Sequence, residues 1–349
     1  MAQSGIPVID INAADEATIG QQLVDAAEEH GFIYIRNLGQ DISAAQVDEA
    51  FALSRKLFDA PLEEKAACAI QTNNRGWGGL HSETLDPRTQ KVGDFKEVFN
   101  IGLFKDGQPQ QPLPPTIIPD QARLEAFRDV CTALCSKLLR LIGNGLGVGD
   151  FFAQAHEIKP GDECDTILRL LRYPPPSLTT HTPSDVRAGA HSDYGSITLL
   201  FRLRGQAGLE VQQSPNGDSW APVPVHPPGT ARDPSPPILV NVGDLLSYWT
   251  GGLLRSTVHR VAFGGDEVDG ESAADPRYSI AFFSSPSPST VLGVVPSERV
   301  RNFVPRSSNS SSSDSANPYA ERRVMRADEH LRMRLAETYG DLYKKEEKA

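Results

Sequence analysis

The 349-residue chain predicts a mainly β fold with flanking helices. Three observations carry that prediction. From Thr166 onward, short apolar, β-branched segments follow one another, separated by Gly, Pro and Asn-Gly turns. Many strands with short turns make a sandwich or a barrel. Ahead of them, Leu124, Phe127, Cys131, Leu134, Leu138 and Leu141 recur at helical spacing in one long helix, about Asp120 to Leu146. Before that helix, strand-like and helix-like stretches alternate.

In order, Ile6 to Ile11 reads as a first strand. A helix follows from about Ala17 to His30, with Ile19, Leu23 and Ala27 on one face, and Gly31 stops it. Phe32 to Leu38 is a strand. Ser43 with Gln46 three residues on is a capping-box pattern for the next helix, whose inner face carries Val47, Phe51 and Ser54/Phe58, and Pro61 ends that helix or starts another. Asn73 to Gly79 reads as a Gly-rich turn and Phe95 to Leu103 as a strand, and 105–119, rich in Pro and Gln, as a connector. The long helix braces the sheet. The strands after it are expected at Thr166–Tyr173, Gly189–Arg202, Leu209–Gln212, Trp220–Val225, Ile238–Val242, Ser256–Phe263 and Arg277–Ser284, with Pro215-Asn216-Gly217-Asp218 as one of the turns. The Ser-rich run at 306–316 buries no core, whether as a surface loop or a lid, and a last helix is expected over about Ala327 to Tyr343, with Leu331, Leu335 and Tyr339 on one face.

Composition narrows the function classes. There are 34 basic and 45 acidic residues, a net charge of −11, and no long basic run, which argues against nucleic acid as a partner. No stretch approaches the roughly 18 apolar residues of a membrane span. The N-terminus lacks the basic and apolar regions of a signal peptide. Cys68, Cys131, Cys135 and Cys164 form no Cys-x-x-Cys pair and read as core residues. The expectation is a cytoplasmic protein with a small-molecule substrate, with no membrane and no obligate protein partner evident.

The chemistry centres on Arg187 to Phe201. His191 and Asp193 form a His-x-Asp pair, and on an extended strand residues two apart project to the same side. Two His and one carboxylate make the facial triad of non-haem Fe(II) oxygenases. The third candidate is His259, in the strand-like Ser-Thr-Val-His-Arg-Val. Farther on, Arg277 and Ser279 share a strand face, and a guanidinium fork beside a hydroxyl is a receptor for a carboxylate. A second His-x-acid instance, His81-Ser82-Glu83, reads as loop.

These motifs resemble the isopenicillin N synthase-like family of Fe(II)/2-oxoglutarate-dependent dioxygenases. The resemblance runs from Ile6-Pro7-Val8-Ile9-Asp10 to about Pro286. It includes Gly31-Phe32-Ile33-Tyr34, Lys96-Glu97, Leu170-Leu171-Arg172-Tyr173-Pro174, His191-Ser192-Asp193-Tyr194-Gly195, Asn241-Val242-Gly243-Asp244, His259-Arg260-Val261 and Arg277-Tyr278-Ser279. Around Val186–Phe201 and Arg277–Phe283 the chain is similar to thymine hydroxylase, a member of that family. The resemblance implies a double-stranded β-helix, or jelly roll, at 161–290. It also implies an N-terminal α/β region at 1–119, a bracing helix and connection at 120–160, and a C-terminal extension at 291–349. It implies Fe(II) on His191, Asp193 and His259, 2-oxoglutarate on Arg277 and Ser279 with Tyr173 as a further hydroxyl, and O₂. The implied reaction oxidises, most often hydroxylates, a C–H bond of a small, aromatic or heterocyclic metabolite and releases succinate and CO₂. Asn241 matches a family position near the site and reads as an aid to strand geometry. Two alternatives stay open: a 2-oxoglutarate-independent oxidase or cyclase of the isopenicillin N synthase type, and a non-catalytic metal-binding jelly roll. For substrate, the strand parity that turns Arg277 and Ser279 into the cavity also turns Ala281 and Phe283 there. Arg187, four residues before His191, joins them if its strand is regular.

Overall fold

The computed structural model describes residues 5–87, 89–175, 185–213, 219–263, 275–304 and 323–338. The 306–316 run, Tyr339 and the turn at 215–218 lie outside them.

Local signals set the N-terminal elements. Strand β1 (Val8–Ile9) leads to helix α1 (Glu16–Glu29), where the Asp15 side chain accepts a hydrogen bond from the Thr18 N–H at 3.0 Å. This cap satisfies one of the four unpaired donors of the first turn. Gly31 ends the helix at φ +68°, and a Cβ there would lie 2.2 Å from the Arg255 carbonyl oxygen, so both conformation and space demand glycine. Strand β2 (Phe32–Ile35) follows. Helix α2 (Ala44–Phe58) opens on the predicted capping box: the Gln46 N–H donates to Ser43 Oγ at 3.2 Å, and the Ser43 N–H to Gln46 Oε1 at 2.9 Å. Pro61 then precedes the short α3 (Leu62–Ala66).

The stretch read as a Gly-rich turn holds a strand, β3 (Gly76–Gly78), paired with β4 (Glu97–Ile101). Its glycines hid it, because strand patterning rests on side chains. The 105–119 connector region likewise carries a small hairpin, β5 (Phe104–Lys105) with β6 (Gln108–Pro109). Helix α4 (Gln121–Gly145) buries the six predicted stripe residues and packs on α1. Three short helices carried too few turns to show a period: α5 (Phe151–Ala155), α6 (Asp244–Trp249) and α7 (Glu298–Asn302).

The second half forms β7 (Ile167–Tyr173), β8 (Val186–His191), β9 (Ile197–Arg202), β10 (Leu209–Gln212), β11 (Trp220–Pro222), β12 (Ile238–Val242), β13 (His259–Ala262) and β14 (Arg277–Ser284), then helix α8 (Ala327–Thr338). Eight strands make a mostly antiparallel sheet in the order β1-β2-β12-β9-β14-β7-β4-β3, and four make a second, β11-β10-β13-β8. The expected single strand over Gly189–Arg202 is two strands, β8 in the small sheet and β9 in the large one. The chain crosses between sheets at 192–196, where the Ser196 N–H binds the Ser284 carbonyl at 2.8 Å and the Asp244 N–H binds the Asp193 carbonyl at 2.7 Å.

The large sheet is apolar on both faces, with period two. Ile33, Leu168, Leu170, Leu199, Ile280 and Phe282 join α1, α2 and α4 in the main core. Phe32, Tyr34, Leu171, Tyr173, Leu200 and Ala281 join Leu209, Val211 and Val261 of the small sheet in a second cluster. Between the two sheets lies the cavity that holds the site.

Candidate active site

His191 closes β8, and its cross-strand neighbour on β13 is His259. The pairing places the two rings 4.4 Å apart. Each is fixed by a backbone carbonyl on its Nδ1 side, Gly189 at 2.8 Å for His191 and Thr257 at 3.1 Å for His259. With Nδ1–H donating, Nε2 keeps its lone pair for a metal. Asp193 sits in the crossing segment, so a strand period is not what sets it beside His191. Its Oδ2 accepts from Thr198 Oγ1 at 2.6 Å and from Asn241 Nδ2 at 2.7 Å. Thr198 and Asn241 are themselves cross-strand partners on β9 and β12. Asp193 Oδ1 is left facing both imidazoles, 3.8 Å from each Nε2. Donor atoms of the three residues lie within 4.8 Å of one another, the one such group among the described residues.

Electrostatics suit a cation at this point. Burial opposes ionisation of Asp193, but His259 and His191, with the Thr198 and Asn241 hydrogen bonds, hold its carboxyl below the usual range. Burial and the neighbouring His259 push His191 down to about 4 despite Asp193. A metal ligand must be unprotonated. Two nitrogens and one oxygen, with the remaining directions open to a cavity, are the donor set of the non-haem Fe(II) triad.

Arg277, Ser279 and Tyr173 line the same cavity. Arg277 opposes Tyr173 across β14 and β7, and its guanidinium lies 4.8 Å from that ring. Arg277 Nε donates to the Ala207 carbonyl at 2.7 Å, which holds the fork in place. Ala281 and Phe283 follow on the same face, as strand parity requires, and both line the cavity.

Arg187 does not. His259 faces His191 while Val261 faces Ala188, so two residues of β13 span three of β8, a β-bulge. The extra residue changes parity, and Ala188 rather than Arg187 shares the cavity face with His191. Arg187 is buried with its guanidinium 5.4 Å from the Phe263 ring. Gly189 is next to the break.

Several residues at the site were given no role from the sequence, although Lys96 and Asp244 fall within segments of the family resemblance. Lys96 lines the cavity, pairs with Glu83 at 3.0 Å and contacts Asp94, while Glu83 also contacts Arg169. Burial opposes ionisation of Glu83, but Arg169 and Lys96 outweigh it and take its carboxyl down to about 2. The His81-Ser82-Glu83 stretch is loop, as expected, yet Glu83 is an interior charge. Asp244 binds Ser192 Oγ at 2.9 Å and Ser256 Oγ at 2.7 Å, bracing the segments that carry Asp193 and His259. Leu331 and Leu335 of α8, with Asp165, also line the cavity.

Comparison with known proteins agrees with this geometry. Residues 6–121 match the family described as non-haem dioxygenase in morphine synthesis N-terminal, and residues 164–286 match the 2OG-Fe(II) oxygenase superfamily. The chain belongs to the 2OG-Fe(II) oxygenase superfamily. It is a 2-oxoglutarate-dependent dioxygenase, an oxidoreductase that works with Fe(II), 2-oxoglutarate and O₂. A 2-oxoglutarate-dependent dioxygenase of Aspergillus rugulosus, htyE, is 31% identical over 83% of this chain and 90% of its own length. A proline hydroxylase of Petromyces alliaceus, buaE, is 34% identical over 76% of this chain and 81% of its own. A full-length Neurospora crassa protein, solved in complex with alpha-KG and thymine, superposes with a TM-score of 0.73 at 28% identity, covering 95% of this chain and 96% of that one. Among the described residues, no helix is long and apolar enough to cross a membrane.

Proposed function

We propose that this enzyme hydroxylates a C–H bond of a small cyclic metabolite, aromatic or heterocyclic, with His191, Asp193 and His259 as the Fe(II) ligands and a double-stranded β-helix as its core. The observation that carries the reading is the convergence of two Nε2 atoms and Asp193 Oδ1 on one wall of a cavity that also presents Arg277 and Ser279. When bound, Fe(II) and 2-oxoglutarate together activate O₂ for C–H oxidation, with succinate and CO₂ released.

The chain's own residues bind, orient and keep out water. Thr198 and Asn241 turn Asp193 so that one oxygen faces the imidazoles. The Gly189 and Thr257 carbonyls hold each imidazole in the tautomer that binds metal. Arg277, pinned by Ala207, offers its fork with Ser279 and Tyr173 to the distal carboxylate of 2-oxoglutarate. Small Ala281 leaves room in the cavity, and Phe283 would supply a flat apolar wall for a substrate ring. The relatives that act on or bind rings, the proline hydroxylase and the Neurospora crassa protein solved with thymine, make cyclic metabolites the first compounds to test.

The test is succinate and CO₂ release with Fe(II), 2-oxoglutarate and a panel of cyclic metabolites. His259→Ala should lose iron and turnover while staying folded. Full iron retention and full rate in that variant would remove His259 from the ligand set.

A further inference from the structure

Helix α8 is far from the triad in sequence, yet two of its residues, Leu331 and Leu335, line the cavity. Backbone contacts hold its start: the Ala327 N–H binds the Thr290 carbonyl at 2.9 Å and the Asp328 N–H binds the Pro288 carbonyl at 3.1 Å. Buried His330 packs against Tyr248 of α6, with centroids 5.3 Å apart and the rings tilted by 48°. One turn on from His330, Arg334 reaches Asp244 Oδ2 at 2.9 Å and lies 5.4 Å over the Tyr194 ring. Both partners of that ion pair are largely covered, with side-chain exposures of 27% and 15%.

Asp244 is the node. Its two oxygens serve Arg334, Ser192 and Ser256, and its N–H binds the Asp193 carbonyl. Gly243 permits this crowding, since a Cβ there would lie 2.2 Å from the Gly195 carbonyl oxygen. One carboxylate therefore touches the segments that carry Asp193 and His259 and also the helix whose Leu331 and Leu335 line the cavity.

We propose that Arg334 is a positioning residue, which latches α8 onto the metal-ligand turn through Asp244 and so holds Leu331 and Leu335 as the apolar wall of the substrate compartment. The inference rests on the reading of His191, Asp193 and His259 as iron ligands. A substrate seated against that wall presents an apolar face to it.

All four native cysteines are buried, so a Leu335→Cys variant carries one reporter thiol on the cavity side of α8. Iodoacetamide labelling of Cys-substituted protein is compared with Arg334 intact, Arg334→Met and Arg334→Lys, all loaded with Fe(II) and 2-oxoglutarate. Arg334→Met should label roughly ten-fold faster, a ratio equivalent to about 1.4 kcal/mol. Arg334→Lys should restore slow labelling in part. Added salt should speed labelling when Arg334 is present and not in Arg334→Met, because an ion pair is screened and a thioether is not. Hydrogen exchange of 323–338, in protein without the Leu335 change, should follow the same order. Iron content and the 2-oxoglutarate Kd should stay constant throughout. Equal labelling and exchange in Arg334→Met would overturn the latch. Loss of iron, or faster exchange over the whole chain, would show a general structural role and overturn it too. Wild-type protein that binds no iron would instead sink the ligand assignment, while labelling and exchange still report on the latch.

Discussion

Asp193 has two carboxylate oxygens, and the protein uses them differently. Oδ2 is committed to Thr198 and Asn241, and Oδ1 faces the imidazoles. Asn241→Ala should free the carboxylate to rotate. Loss of such a supporting partner costs about 10- to 100-fold in metal affinity, so titration of the apoprotein with Fe(II) or Co(II) should show a drop of that order. An unchanged affinity would leave Asn241 as a strand residue only. Arg277 makes a parallel case for the co-substrate. A charge-assisted hydrogen bond contributes roughly 1.5–3 kcal/mol, or about 10- to 100-fold in binding. Arg277→Ala should raise the 2-oxoglutarate Kd by at least that order, and Arg277→Lys should recover only part, since it lacks the planar fork. A Kd that did not move would place the anchor elsewhere. The grouping of His191, Asp193 and His259 was legible because their order along the chain, with Arg-x-Ser after them, is specific. Thr198 was not, and Asn241 was placed near the site only by the family resemblance, because a Thr or Asn in a strand does not reveal its partner until the register of β9 and β12 is known.

At the scale of elements, the β8 bulge is held by a buried charge network. The Gly189 N–H donates to Asp94 Oδ1 at 3.0 Å, Asp94 contacts Lys96, and Glu83 joins Lys96 to Arg169 on β7. Glu83→Gln would leave two interior cations short of their counter-charge, and breaking a buried pair in this way costs about 3–5 kcal/mol. The pH dependence has a definite sign. Glu83 has a folded pKa of about 2 against an ordinary 4.5, so its contribution is full above about pH 4.5 and is lost as pH falls towards 2. The Tm gap between wild type and Glu83→Gln should be wide at pH 7 and narrow below pH 4. A gap independent of pH would mean that the network stabilises by packing and not by charge. The same bulge explains why the parity argument succeeded on β14 and failed on β8. Arg277, Ser279, Ala281 and Phe283 lie on an unbroken antiparallel strand, whereas one extra residue turns Arg187 to the opposite face.

Over the whole molecule, what the sequence revealed was periodic and what it hid was distant. The long α4 stripe, the capping box and the two-faced strands repeat locally and were readable. The division of 189–202 between two sheets, the α8 wall and the interior place of Glu83 depend on contacts between residues tens to hundreds apart. Asp165 belongs to this second group. It lines the cavity alongside residues of α8, in a chain of net charge −11. Burial raises its carboxyl to about 6, Arg75 offsets part of that, and Asp328 adds to it. A carboxyl with a folded pKa above its ordinary 3.8 holds its proton better in the folded state than in the unfolded one. Ionising it therefore costs stability, a cost absent below about pH 4 that grows as pH rises to about 6 and is constant beyond. Asp165→Asn removes the charge and keeps the shape. Its Tm should exceed that of wild type at pH 8, and the two should converge near pH 4. Identical Tm values at pH 8 would show that Asp165 is as well solvated in the fold as in the open chain, and a lower Tm in the variant would show that its charge is held by a partner.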